Sequence, residues 1–186
     1  MRAPRGAEAN LYRVILLRKK GIASARCYAA STRMTSPTPN DRKAILWGGL
    51  LGGAGDFFFA FFFYGWKIRV FQSVAAGLIG REAAFAGGVP TFLLGVALHF
   101  WIGIIWAVLF WALSRRAPGL IRYAIPAGLG YGLIIFYGMN SVVLPLSALQ
   151  TKAWPLAWAP WPIAGHMLLV GLPIALVARK FSRPAS

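Results

Sequence analysis

The chain has 186 residues, of which 58% are hydrophobic and only 13% charged, with a mean hydropathy of +0.61. A soluble domain carries roughly a quarter charged residues, so this composition excludes an ordinary water-soluble fold. The net charge of +16 and pI near 11.3 come without any DNA- or RNA-binding motif. The basic residues instead flank apolar blocks, where they set orientation and meet anionic headgroups, so nucleic acid is not expected as a partner.

Residues 1–33 hold eight Lys/Arg against one acid, Glu8, with scattered Ser and Ala around the short apolar stretch "LYRVILL". That pattern is transit-peptide-like: Arg-rich, acid-poor and amphipathic. The competing reading, which we prefer, is a natural start at Met34, where "MTSPTPNDRK" leads directly into the first apolar block. On either reading residues 1–43 form a basic N-terminal segment that does not pack against the rest. The lone Cys27 has no partner for an intrachain disulfide and no companions of a metal motif.

Four apolar blocks follow, at about Ala44–Gly65, Thr91–Leu113, Ala124–Leu146 and Ala159–Ala178. Each reaches the roughly 20 residues that cross a bilayer at 1.5 Å rise per residue. The predicted fold is an all-α membrane protein, a four-transmembrane-helix bundle over residues 44–181 with a short tail at 182–186. Eight basic residues flank one side of the spans: Arg42, Lys43, Arg115, Arg116, Arg122, Arg179, Lys180 and Arg183. Four lie on the other: Lys67, Arg69, Arg81 and Lys152. The positive-inside rule then places both termini in the cytoplasm and the first and third loops outside.

The first outer loop, "KIRVFQSVAAGLIGREAAFAGG", is too long for a turn. Val70, Phe71, Val74, Ala75, Leu78 and Ile79 make a stripe at helical spacing, too short to span, so an interfacial or re-entrant helix is expected. Within it Arg81 and Glu82 form a headgroup-level pair, or line an entrance to the bundle interior. The third loop sets Trp154, Trp158 and Trp161 among prolines, and Trp47, Trp66 and Trp111 sit near span ends. Trp prefers headgroup depth.

Each span holds one strongly polar residue: Asp56, His99, Asn140 and His166. Counted from the outer end of its span, each lies at roughly 14, 12, 9 and 10 Å depth respectively. At 100° per residue Gly49, Gly52 and Gly53 share a face with Asp56, and His99 lies between Gly95 and Gly103. Small residues admit a neighbouring helix, so both polar groups turn inward. Asn140 does not share the Gly128/Gly132 face, and Pro162 and Pro173 bracket His166 on its own side.

The simplest reading of this cluster is structural: the four side chains hydrogen-bond the helices together. The alternative is a proton-coupled transporter or channel subunit using Asp56 and His99, since intramembrane acids and histidines relay protons. A metal-dependent membrane enzyme is third, with His99, His166 and Asp56 as ligands. Hydrolysis with a His base lacks an evident nucleophile. "GLGYG", Gly128 to Gly132, lies inside a span with no preceding strand, so close packing explains it better than nucleotide binding. No cofactor is named by the sequence. Phe57–Phe63 is read as lipid-facing and core-filling.

The segments "GDFFFAFFFYG", "FQSVAAGLIG", "LGVALHFWIG", "YGMNSVVLPLS" and "GHMLLVGLPIALVARK" together resemble a group of small, uncharacterised bacterial four-helix inner-membrane proteins. The similarity covers about Ala44 to Phe181. A span-two histidine, a proline closing span three and the Gly165–His166 pair are more distantly similar to YagU-type inner-membrane proteins, although the loops do not match. The resemblance implies a bacterial inner-membrane location and no activity. Four short spans leave limited room for a solute path, so transport would call for a homo-oligomer or a partner.

Overall fold

The computed structural model describes residues 36–149 and 160–182. The N-terminal basic segment up to residue 35, Lys152, Trp154, Trp158 and the tail from residue 183 lie outside the described residues. From Thr38 onward the described chain belongs to one unit, Thr38–Ser186.

Its elements are helical throughout. Helix α1 spans Pro39–Phe63, α2 Arg69–Ile79, α3 Arg81–Ala86, α4 Gly88–Arg116, α5 Gly119–Arg122, α6 Ala124–Leu146 and α7 Pro160–Ser182. Four of these, α1, α4, α6 and α7, are long and apolar enough to cross a membrane. The protein is an all-α, four-span membrane protein.

Helix α1 starts before the expected Ala44, because a cap and not hydropathy sets its first turn. Thr38 Oγ1 accepts from the Asp41 N–H at 3.2 Å, the Asp41 carboxylate accepts from the Thr38 N–H at 2.9 Å, and Pro39 occupies the first helical position. Two orphan donors are satisfied and φ is preset. Residues 39–43 therefore belong to the first span and not to the N-terminal segment. The far end closes with Gly65 at φ +74 and Trp66 at φ +60. The Trp66 N–H donates to Phe61 O at 2.7 Å and the Gly65 N–H to Phe62 O at 3.4 Å, while the Trp66 ring stacks on Phe61. This is a Schellman stop with its hydrophobic contact.

Helix α4 also overruns its expected bounds, ending on Arg115 and Arg116, whose charges complement the helix C-terminus. Helix α7 likewise continues past Ala178 to Ser182. Both α6 and α7 contain a widened π turn, at Met139–Val143 and His166–Gly171. Each lies just before a proline, Pro145 or Pro173, which offers no N–H to the carbonyl four residues back.

In the bundle, α1 packs between α4 and α7, and α6 packs against α7. Glycines permit the crossings. A Cβ on Gly49 would sit 2.7 Å from Ile104 Cα, and one on Gly132 would overlap the His166 carbonyl and Met167 Cα. Close approach of this kind supplies the van der Waals contact that holds membrane helices together. The apolar core runs from Ile45, Phe110, Ala124 and Ala178 up to Tyr131, Ile135 and Val170. The aromatic run of α1 divides as its helical spacing dictates: Phe58 and Phe62 are exposed, while Phe61 is buried and Phe57 stacks on Phe71 at 4.4 Å.

The expected short helix in the first loop is present as α2, docked on α4. Its buried face is rotated from the predicted stripe. Phe71, Gln72, Ala75 and Ala76 are buried, whereas Leu78 and Ile79 are exposed. Two contacts cause the rotation. Gln72 Nε2 donates to Gly88 O at 2.9 Å and Thr91 Oγ1 at 3.2 Å. Gly95 lets the Phe71 carbonyl lie where a Cβ would otherwise be. The Ala148 N–H donates to Gly77 O at 2.9 Å, tying α2 to the end of α6 as well.

Candidate functional site

Asp56 on α1, His99 on α4 and His166 on α7 converge. His99 Nε2 lies 4.0 Å from Asp56 Oδ2, and His166 Nδ1 lies 4.0 Å from Asp56 Oδ1. The carboxylate thus faces one imidazole with each oxygen, and all three side chains are 14–20% exposed. Of the four acids in the chain, Glu8 and Glu82 lie outside the spans and Asp41 is in the first turn of α1. Asp56 is the acid set well inside one.

The same two ring nitrogens hold backbone carbonyls. His99 Nε2 is 2.9 Å from Gly53 O, and His166 Nδ1 is 2.8 Å from Pro162 O. A carbonyl only accepts, so both nitrogens carry hydrogen and both donate. Each proton therefore points at a carbonyl while the Asp56 carboxylate waits at 4.0 Å as a second acceptor. Aromatic edges steady the rings. His99 lies edge-on to Phe71 at 5.3 Å and Phe100 at 5.6 Å, and His166 edge-on to Phe136 at 5.4 Å.

A cavity of about 80 Å³ opens onto the three groups. Gly52, Gly53, Gly103, Ile102, Trp106, Ile135, Met139 and Val170 line it, and Val74 of α2 closes part of its wall. At about 10–15 Å³ per water centre, it accommodates several waters, and the polar triad gives them partners. It begins where the apolar core ends, at Ile135 and Val170.

The other residues singled out in the sequence lie elsewhere. The Asn140 Nδ2 donates to Phe136 O of its own helix at 2.8 Å, and Asn140 does not line the cavity. Its π turn and its distance from the glycine face spend the amide locally. Arg81 and Glu82 do not line the cavity either, and the Arg81 guanidinium lies over the Phe85 ring at 5.8 Å instead of on Glu82. Trp161 is exposed.

Sequence reasoning passed over Trp106 and Met139. Trp106 was findable: it follows His99 by seven residues and Gly103 by three, on the same helical face. Its carbonyl accepts from the Tyr131 hydroxyl at 2.6 Å, which fixes α4 against α6 beside the cavity.

Among the described residues no group of three or more His, Cys, Asp and Glu is arranged to hold a metal ion. The chemistry agrees: the ring nitrogens nearest Asp56 carry hydrogen, and a protonated ring nitrogen has no lone pair to give a metal. Among the described residues no Ser, Thr or Cys lines the cavity to serve as a nucleophile. What the arrangement can do chemically is pass protons among two imidazoles and a carboxylate, at the wall of a cavity with room for water. No family model, curated protein or solved structure matches the chain.

Proposed function

We propose that this integral membrane protein handles protons at the Asp56, His99 and His166 centre, as a proton-coupled transporter or channel subunit. The observation that supports the reading is the Asp56 carboxylate: both oxygens face imidazole N–H groups across 4.0 Å, at the wall of a cavity. A carboxylate kept only to bind helices together would close direct hydrogen bonds, because an unsatisfied charge in a low-dielectric interior is expensive. Here space is kept beside it, and intramembrane acids with histidine neighbours are the usual material of proton relays. The π turn that begins at His166 is a feature often found at functional sites.

A second reading, helix cross-linking, is favoured by one contact, the His99 bond to Gly53 O between α4 and α1. Proton flux separates the two. Wild-type protein in liposomes under an imposed pH gradient is expected to acidify or alkalinise the lumen faster than empty vesicles, and Asp56→Asn is expected to return flux to the empty-vesicle level. Equal flux from both proteins rules out the proton reading. A bacterial inner-membrane setting with both termini cytoplasmic belongs to the same proposal. It is supported by the eight-to-four bias of basic residues and the sequence likeness described above.

A further inference from the structure

The arginines of the first loop do something the cavity does not use. Arg69, at the start of α2, and Arg81, at the start of α3, both place a guanidinium over the same ring, Phe85, at 5.6 and 5.8 Å. Two like charges gathered on one half-buried ring repel, and the cation–π contacts offset only part of that repulsion. Among the described residues no carboxylate pairs with either, Glu82 included. The ring occupies a guanidinium face and leaves the N–H edges free. Those edges are the part of arginine that matches phosphate oxygens in two-pronged fashion.

The surroundings specify the source of the phosphate. Along the same stretch of chain, Trp66, Ile68, Leu78, Ile79 and Val89 are exposed. A charged pair on a stretch of chain that also exposes aliphatic and indole side chains suits the headgroup layer, where apolar groups enter the acyl boundary and cations meet phosphate. Lys67 adds a further charge. We infer that Arg69, Phe85 and Arg81 form a binding site for the phosphate of anionic phospholipid headgroups, on the α2–α3 face of the bundle.

The inference is independent of the proton reading and is tested without it. Protein purified in mild detergent is mixed with phosphatidylglycerol, phosphatidylcholine or inorganic phosphate, and bound lipid is counted by native mass spectrometry alongside thermal stability. Wild type is expected to retain phosphatidylglycerol above phosphatidylcholine and to gain several degrees from it. Arg69→Gln and Arg81→Gln are each expected to lower that retention about fivefold, since a basic residue near an anionic surface contributes about 1 kcal/mol. Retention of both lipids to the same extent overturns the inference. So does an equal thermal gain from inorganic phosphate, which identifies a free-anion site. If a glutamine variant fails to fold, the wild-type preference alone still decides, and Phe85→Leu gives a milder second variant expected to weaken retention.

Discussion

Gln72 and Asp56 are both polar residues set among apolar helices, and they are treated in opposite ways. Gln72 is 2% exposed and its amide nitrogen is fully committed, at 2.9 Å to Gly88 O and 3.2 Å to Thr91 Oγ1. Thr91 in turn donates to Ala84 O at 2.6 Å, so one short network joins α2, α3 and α4. Asp56 is more open, with its histidines at 4.0 Å and a cavity beside it. A polar group retained for architecture closes its bonds. On the proton-handling proposal, Asp56 instead keeps a reactive atom beside a cavity and within reach of a second proton site. The contrast separates the latch of the loop from the centre of the bundle.

The sharpest way to break the latch is Gly95→Leu. A Cβ at Gly95 overlaps the Phe71 carbonyl, so α2 must lift from α4. The expected loss is about 3 kcal/mol, at the upper end of overpacking effects, read as a large fall in Tm in detergent. Gln72→Leu keeps the volume but strips the amide, removing the donor to Gly88 O and Thr91 Oγ1 that ties α2 to α4. Its expected loss is about 1–2 kcal/mol, with proton flux retained. A Tm equal to wild type contradicts the latch.

Asp56→Asn is expected to do the reverse. Stability changes by less than about 1 kcal/mol, in line with the modest worth of polar contacts between membrane helices, while proton flux falls to the vesicle baseline. If Asp56→Asn destabilises as much as Gln72→Leu and flux is unchanged, the two residues are alike and the distinction collapses. Asn140→Ala removes an amide that serves only its own helix. Because that bond does not join helices, the change is expected to lower stability by less than the roughly 0.6 kcal/mol of an interhelical contact and to leave flux unchanged. Smallest of all is Glu82→Gln, an exposed residue without an ion pair among the described residues. A stability within about 0.5 kcal/mol of wild type is expected, with no change in flux.

Much of the architecture is readable without coordinates because it depends on local quantities. Hydropathy over about 20 residues marks a span, since every backbone group in lipid must be satisfied within the helix. The α6 block, Ala124–Leu146, emerged with its expected bounds. The first span did not, because Thr38 and Asp41 cap the helix ahead of the charged Arg42 and Lys43, where hydropathy alone would stop. Helical geometry likewise pointed Asp56 and His99 inward through their glycine neighbours, and both do line the interior.

Which inward residues meet is a different matter, since it depends on rotations and crossings between segments far apart in the chain. One polar residue per span at similar depth suits a four-membered cluster, yet only Asp56, His99 and His166 converge, while Asn140 turns back to Phe136 O. The face of α2 was also beyond periodicity. Of its expected stripe of Val70, Phe71, Val74, Ala75, Leu78 and Ile79, Phe71 and Ala75 are buried, but hydrogen bonds from Gln72 to α4 and the space above Gly95 brought in Gln72 and Ala76 and left Leu78 and Ile79 exposed. In water, burial of the most apolar face settles such a choice. Beside a membrane the apolar face gains little by leaving lipid, so the polar side chain that needs a partner and the backbone that needs room decide it.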